Sequence, residues 1–145
     1  MTVNKELALK IWKDVFGNKL WAQDCFGTWM YRDDYGVYDI KRNNRPGGTG
    51  NYYVYGWDLD HIKPIASFNS ENEATFFNNL EPMQHSNNLT KSDKTSFEIG
   101  REDYQVIRCE ICKAHNRRGY GIKNVSTGKR VDWKYTKNLF YDTND

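Results

Sequence analysis

Apolar residues recur at helical spacing near the start of the chain. Leu7, Ile11 and Val15 alternate with Ala8, Trp12 and Phe16, an i, i+4 stripe that predicts a helix over about residues 5–16, capped by Asn4 and ended by Gly17. Residues 26–42 are aromatic and turn-rich, and "NNRPGGTGN" at 43–51 reads as a flexible connecting loop. "YYVYGWDLD" then alternates as one strand, with Tyr53, Tyr55, Trp57 and Leu59 on one face and Asp58 and Asp60 on the other. Ser70 and Glu73 make a capping box for a short helix over about 71–77. A return strand is expected near Leu80 and a helix from about Ser86. Further on, "YQVIRCEI", "GYGIKNV" and "KRVDWKY" read as short strands with turns at "NRRG" and "STGK". The pattern is that of an α+β chain.

At 145 residues a single domain, 1–145, is expected, with its core over about 52–96 and an extension over about 101–137. Mean hydropathy is −0.90, yet ten Tyr and five Trp argue against disorder. No apolar run approaches the roughly 18 residues of a spanning helix, and no secretory signal is visible, so a soluble cytoplasmic protein without a membrane partner is expected. Three Cys without a disulfide-like pattern agree with a reducing compartment.

The net charge of +2 conceals an asymmetry. Residues 101–137 hold ten Lys/Arg against four Asp/Glu, a local +6, and the remainder of the chain sums to −4. A basic segment of this kind suits a polyanion, with affinity that falls steeply as salt rises; taken alone it is equally a solvated lysine-rich surface. Arg117, Arg118, Lys129 and Arg130 at the turns are the expected phosphate contacts, with Tyr120 or Trp133 available for stacking.

The candidate chemistry lies upstream of that segment. Asp60 is followed directly by His61, by Asn79 eighteen residues on, by Asn88 nine later and by Lys91 three after that. Phosphodiester hydrolysis needs a base for water and a cation on the departing oxygen. Neutral imidazole, with an ordinary pKa near ~6.5, can be that base without prior activation. Asp60 and Asn88 each offer a hard oxygen, which suits Mg²⁺ or Mn²⁺ and leaves the other positions to water and phosphate. Strict alternation sends Asp60 and His61 to opposite strand faces, so the chain must bend there for both to serve one phosphate.

"GWDLDHIKPIASFNSENEATFFNNLEPMQHSNNLTKSDK" resembles the core of the HNH endonucleases, the ββα-metal or His-Me finger family, in a D-H…N…N variant. The resemblance covers residues 57–94, including Ile62, Pro64, Leu80 and Pro82 of the "DHIxP" and "NLxP" contexts. It implies a ββα-metal fold and a DNA endonuclease. Asp60 and Asn88 would bind the metal, His61 would be the general base, Asn79 would hold the histidine loop through backbone bonds, and Lys91 would meet a phosphate. Where many relatives carry His ligands this chain has Asp60 and Asn88, which shifts the expected metal from Zn²⁺ towards Mg²⁺.

Three neighbours remain open. His85 lies one turn before Asn88 and reads as an exposed helix-start residue more than a ligand; Asn87 is what a one-residue register error would promote. Cys109, Cys112 and His115 have zinc-like spacing, but a structural Zn²⁺ needs four ligands and only the distant Cys25 is left to supply the last. Buried free thiols are therefore the expectation.

A single such site nicks one strand of double-stranded DNA, and double-strand cleavage would need a homodimer or two encounters. A catalytically inactive nucleic-acid-binding module, and an RNase or toxin nuclease, are the alternatives.

Overall fold

Residue 56 breaks the long strand that alternation suggests. A Cβ on Gly56 would stand 1.9 Å from the carbonyl oxygen of Val37, so the chain passes here too closely for any side chain. In a computed structural model that describes residues 3–139, two separate strands result. Strand β4 (Tyr53–Val54) pairs with β3 (Lys41–Arg42), and β5 (Trp57–His61) pairs with β6 (Leu80–Gln84). The 43–51 segment is the connection between β3 and β4.

The β5–β6 hairpin is antiparallel, with Asp58 opposite Met83, Asp60 opposite Glu81 and His61 opposite Leu80. Every residue of β6 is buried, which marks the hairpin as the middle of the molecule. On one side Trp57, Leu59 and Leu80 pack with Ala8, Ile11, Trp12, Val15 and Phe16 of helix α1 (Lys5–Phe16). That helix has the expected ends: Asn4 accepts from the Leu7 amide, and Gly17 turns out at φ 67°. On the other side Ile62 and Met83 join Phe97, Tyr104 and Ile122 from a three-stranded sheet of β7 (Ser96–Ile99), β8 (Glu102–Arg108) and β9 (Tyr120–Asn124).

Two elements sit where the sequence pattern showed only turns or aromatic residues. A small antiparallel hairpin, β1 (Trp21–Gln23) with β2 (Trp29–Tyr31), is closed by Asp24. Asp24 is fully buried and accepts from the amides of Phe26 and Thr28 in its own turn, then from the Gln84 amide and Asn87 Nδ2 across the fold. Strand β7 is likewise absent from the sequence reading.

The short helix after Ser70 is α2 (Glu71–Ala74), shorter than expected. Ser70 Oγ accepts from the Glu73 amide, and Glu73 reaches back to the Asn69 amide. Helix α3 (His85–Lys91) follows β6 without a loop, because Gln84 caps it by accepting from the amides of Ser86 and Asn87. Strand, return strand and helix thus occur in the expected order.

The carboxyl-terminal part differs more. "KRVDWKY" is not a strand: one bridge joins Arg130 to Lys123, and helix α5 (Trp133–Thr136) begins at Trp133. The reason is Glu81, fully buried on β6, which accepts from the Trp133 amide and draws Lys134 to 3.9 Å. Burial pushes the Glu81 carboxyl well above its ordinary range, and the Lys134 ammonium pulls it back. Between β8 and β9, helix α4 (Glu110–Ala114) brings Cys109 and Cys112 to a Cα separation of 5.3 Å, and the two are disulfide-bonded. The expectation of free thiols is corrected by this. Cys25 packs against the Ile62–Met83 cluster and is free. Among the described residues, no helix is long and apolar enough to cross a membrane.

Replacing Gly56 by Ala is expected to lower stability by about 1–3 kcal/mol, because Val37 cannot withdraw without disturbing the neighbouring turn. Urea unfolding measures this; a midpoint equal to the parent protein's would contradict the close approach.

Candidate active site

Helix α3 lies along β5, and the contact is polar. His85, Asn88 and Lys91 follow one another at i, i+3 on the helix, and Asp58 and Asp60 at i, i+2 on the strand, so the two rows can meet. His85 Nδ1 is 2.8 Å from Asp58 Oδ2, and Asn88 Nδ2 donates to the same oxygen at 3.0 Å. Lys91 Nζ donates to Asp60 Oδ1 at 3.2 Å and to the His61 carbonyl at 3.0 Å. The Tyr38 hydroxyl donates to Asp58 Oδ1, and its ring stacks on His85 with centroids 3.5 Å apart.

Lys91 is fully buried, which corrects its expected role. It cannot reach a phosphate; it serves instead as the counter-charge of Asp60. The ammonium stands 3.2 Å from both carboxylate oxygens, but its donor geometry serves only Oδ1. Asp60 Oδ2 is buried and, among the described residues, has no hydrogen-bond partner. Burial raises the Asp60 carboxyl to about 6; Lys91 opposes that rise and Asp58 adds to it. An acceptor left unsatisfied in this way is costly unless something binds it.

Asp60, His61 and Asn88 line one cavity of about 330 Å³, with Leu59, Pro64, Ile65 and Leu89 among its walls. The expected bend at Asp60 is absent, since β5 stays in register with β6 through His61 and the chain bends only at Ile62 and Lys63; the adjacent residues Asp60 and His61 nevertheless line the same cavity. Asn79 makes the bend rigid. Fully buried, it accepts from the Lys63 amide at 2.8 Å and donates to the carbonyls of Lys63 at 3.1 Å and Ala74 at 2.9 Å. Its own carbonyl accepts from the Ile62 amide.

His61 has a partner that the sequence gave no sign of. Its Nε2 lies 2.8 Å from Thr75 Oγ1, at the end of α2, and the same hydroxyl donates to the Glu71 carbonyl at 2.7 Å. The threonine has one proton and the carbonyl can only accept, so Nε2 must carry the hydrogen of the other bond. The neutral ring then presents an unprotonated Nδ1. Burial lowers the His61 pKa, with Lys91 acting in the same direction and Glu71 against it, so the neutral form prevails at neutral pH.

The remaining candidates are dispersed. Asn87 turns away from the cavity to Asp24 and Thr28, which leaves Asn88 as the cavity residue. His85 is neither exposed nor a cavity residue, being held by Asp58 and Tyr38. Arg130 is not at liberty to meet a phosphate: it makes a two-point pair with Asp132 and its side chain is 11% exposed. Trp133 packs against Phe16 and donates to the Gln23 carbonyl, a structural position. Lys129 is exposed at the β9 turn, Arg117 is half-buried after α4, and Arg118 is exposed beside it.

The donors at the cavity fit a hard divalent cation. Asp60 offers a carboxylate oxygen that accepts no hydrogen bond among the described residues, and the bond from Asn88 Nδ2 to Asp58 turns the amide oxygen of Asn88 the other way. Among the described residues no group of three or more His, Cys, Asp or Glu side chains is placed to hold a metal, so any ion here depends on that amide and on non-protein oxygens. The chain matches no protein-family model, no curated protein and no solved structure.

Exchanging Lys91 for Met is expected to cost about 3–5 kcal/mol, since it strands a buried carboxylate. Denaturant unfolding checks this, and a loss below about 1 kcal/mol, the range of an exposed pair, would contradict it.

Proposed function

We propose that this protein is a metal-dependent DNA endonuclease with a ββα-metal core, hydrolysing phosphodiester bonds. The observation that carries the reading is the convergence of Asp60, His61 and Asn88 on one cavity, where among the described residues Asp60 Oδ2 accepts no hydrogen bond. The strand–strand–helix order of β5, β6 and α3, and the backbone role of Asn79, support it.

In this reading His61 Nδ1 takes the proton of the attacking water, and Thr75 keeps Nε2 protonated so that the ring does not present the wrong nitrogen. Asp60 and Asn88 would hold Mg²⁺ or Mn²⁺. When bound, that ion would supply the positive charge that a departing 3′ oxygen requires. Lys91 fixes Asp60 from behind while keeping out of the substrate's space. Asn79 holds the bend after His61 from the loop before β6. The resemblance to HNH enzymes implies 5′-phosphate and 3′-hydroxyl ends, and one such site would nick duplex DNA.

His61→Ala is expected to lower Mg²⁺- or Mn²⁺-dependent nicking of supercoiled plasmid by about 10²–10⁴-fold while leaving DNA binding intact. Undiminished cutting by that variant would overturn the assignment of the base. Thr75→Val should reduce single-turnover cleavage by about 10–100-fold, and Thr75→Ser should restore it, because only the hydroxyl is needed. Equal rates for the Val and Ser variants would remove Thr75 from the mechanism.

A further inference from the structure

We infer that Lys63 and Arg118 form a subsite beside the cavity for the phosphodiester backbone of DNA, braced on a floor of three aromatic rings. The choice of DNA rests on the nuclease reading; the cationic subsite stands on its own geometry.

Phe68, Phe76 and Tyr120 close a triangle, with centroids 6.2 Å apart for Phe68–Phe76, 6.2 Å for Phe68–Tyr120 and 6.5 Å for Phe76–Tyr120. Lys63 Nζ lies 4.8 Å from the Tyr120 ring centre and 5.6 Å from that of Phe68. The Arg118 guanidinium lies 4.1 Å from the Phe76 ring centre. Two cations from distant parts of the chain therefore share one support.

The support adjoins the cavity by two routes. Lys63 is two residues after His61, and both its backbone polar groups are held by Asn79. Phe76 directly follows Thr75, the partner of His61. Arg118 is tied to the same region by its carbonyl, which accepts from Asn78 Nδ2 at 3.1 Å. Neither cation rests on a flexible segment of its own.

Their electrostatics separate them from the ion-paired cations of the fold. Arg42 is paired with Asp34, Lys91 with Asp60 and Arg130 with Asp132. Among the described residues, Lys63 and Arg118 have no carboxylate within ion-pair distance; the one hydrogen bond of Lys63 Nζ is to the Tyr120 hydroxyl at 3.4 Å. An aromatic face orients a cation without cancelling its charge, so both remain available to an anion. Arg118 is exposed and Lys63 half-buried, which suits contact with a backbone passing over the surface.

The test uses a fluorescein-labelled DNA duplex and full-length protein carrying His61→Ala, in EDTA, so that binding is read without cleavage. Adding Lys63→Gln and Arg118→Gln should reduce the slope of log affinity against log salt by about 1.8, or 0.9 for each lost phosphate contact. Lys10→Gln, on the exposed side of α1, should leave the slope unchanged. An unaltered slope in the double variant, with an unfolding midpoint like the parent's, overturns the subsite. Should the double variant fail to fold, Arg118→Gln and Arg118→Lys replace it: loss of slope in the first and retention in the second support the subsite, and equal slopes overturn it. Metal-dependent cleavage by the unmodified protein is scored separately. Cleavage with no change of slope defeats the subsite alone, and a reduced slope without cleavage defeats the nuclease reading alone.

Discussion

The buried ion pair between Lys91 and Asp60 is the constraint on which the site depends. Two charges removed from water are tolerable only together, and here each comes from a different element: the ammonium from α3, the carboxylate from β5. The pair therefore fixes where the helix lies along the strand. Once it is formed, the i, i+3 spacing of α3 sets Asn88 and His85 over Asp58, two residues earlier on β5. A slip of α3 would separate both rungs at once. The helix position, and with it the side of Asn88 that faces the cavity, is thus determined by charge and not by apolar packing.

The same pair explains why Asp60 is suited to a cation. Lys91 satisfies one oxygen and approaches the other without bonding it, and burial makes the carboxylate costly to charge when nothing else is near. A site of this kind gains most when a second positive charge arrives. Behind it, Glu81 pairs across the strands with Asp60 and is itself held against Lys134 and the start of α5. The hairpin thus carries a buried acid on each strand, each matched to a lysine from the helix that covers it. Two cations of the basic carboxyl-terminal segment, Lys134 with Glu81 and Arg130 with Asp132, are held in internal pairs, which leaves a smaller set at the surface than the charge count suggests.

Much of this was legible in the sequence, for physical reasons that differ from element to element. The ends of α1 follow from local chemistry: a carboxamide at Asn4 bonded within the first turn and a residue able to adopt positive φ at Gly17. The strand that becomes β5 follows from alternation, and the return strand, the helix after it and the backbone bonds of Asn79 from the resemblance. What was not legible depends on distant partners. The close pass of Val37 that interrupts the long strand at Gly56 comes from a loop nineteen residues earlier. Lys91 reads in the sequence as an exposed helical lysine, and only the carboxylate thirty-one residues earlier draws it inside. Asp58 had one usable signal, since it shares a strand face with Asp60; Thr75 had none, because its bond to His61 arises from where α2 ends. The fate of "KRVDWKY" was decided by buried Glu81, which outweighs the strand propensity of that segment.

The most direct measurement of the central claim is anomalous scattering from a crystal soaked in Mn²⁺. The account predicts one peak in the cavity, bonded to Asp60 Oδ2 and the Asn88 amide oxygen, with the Lys91–Asp60 Oδ1 contact retained. A peak elsewhere, or none while Asp60, His61 and Asn88 stand as described, would contradict it.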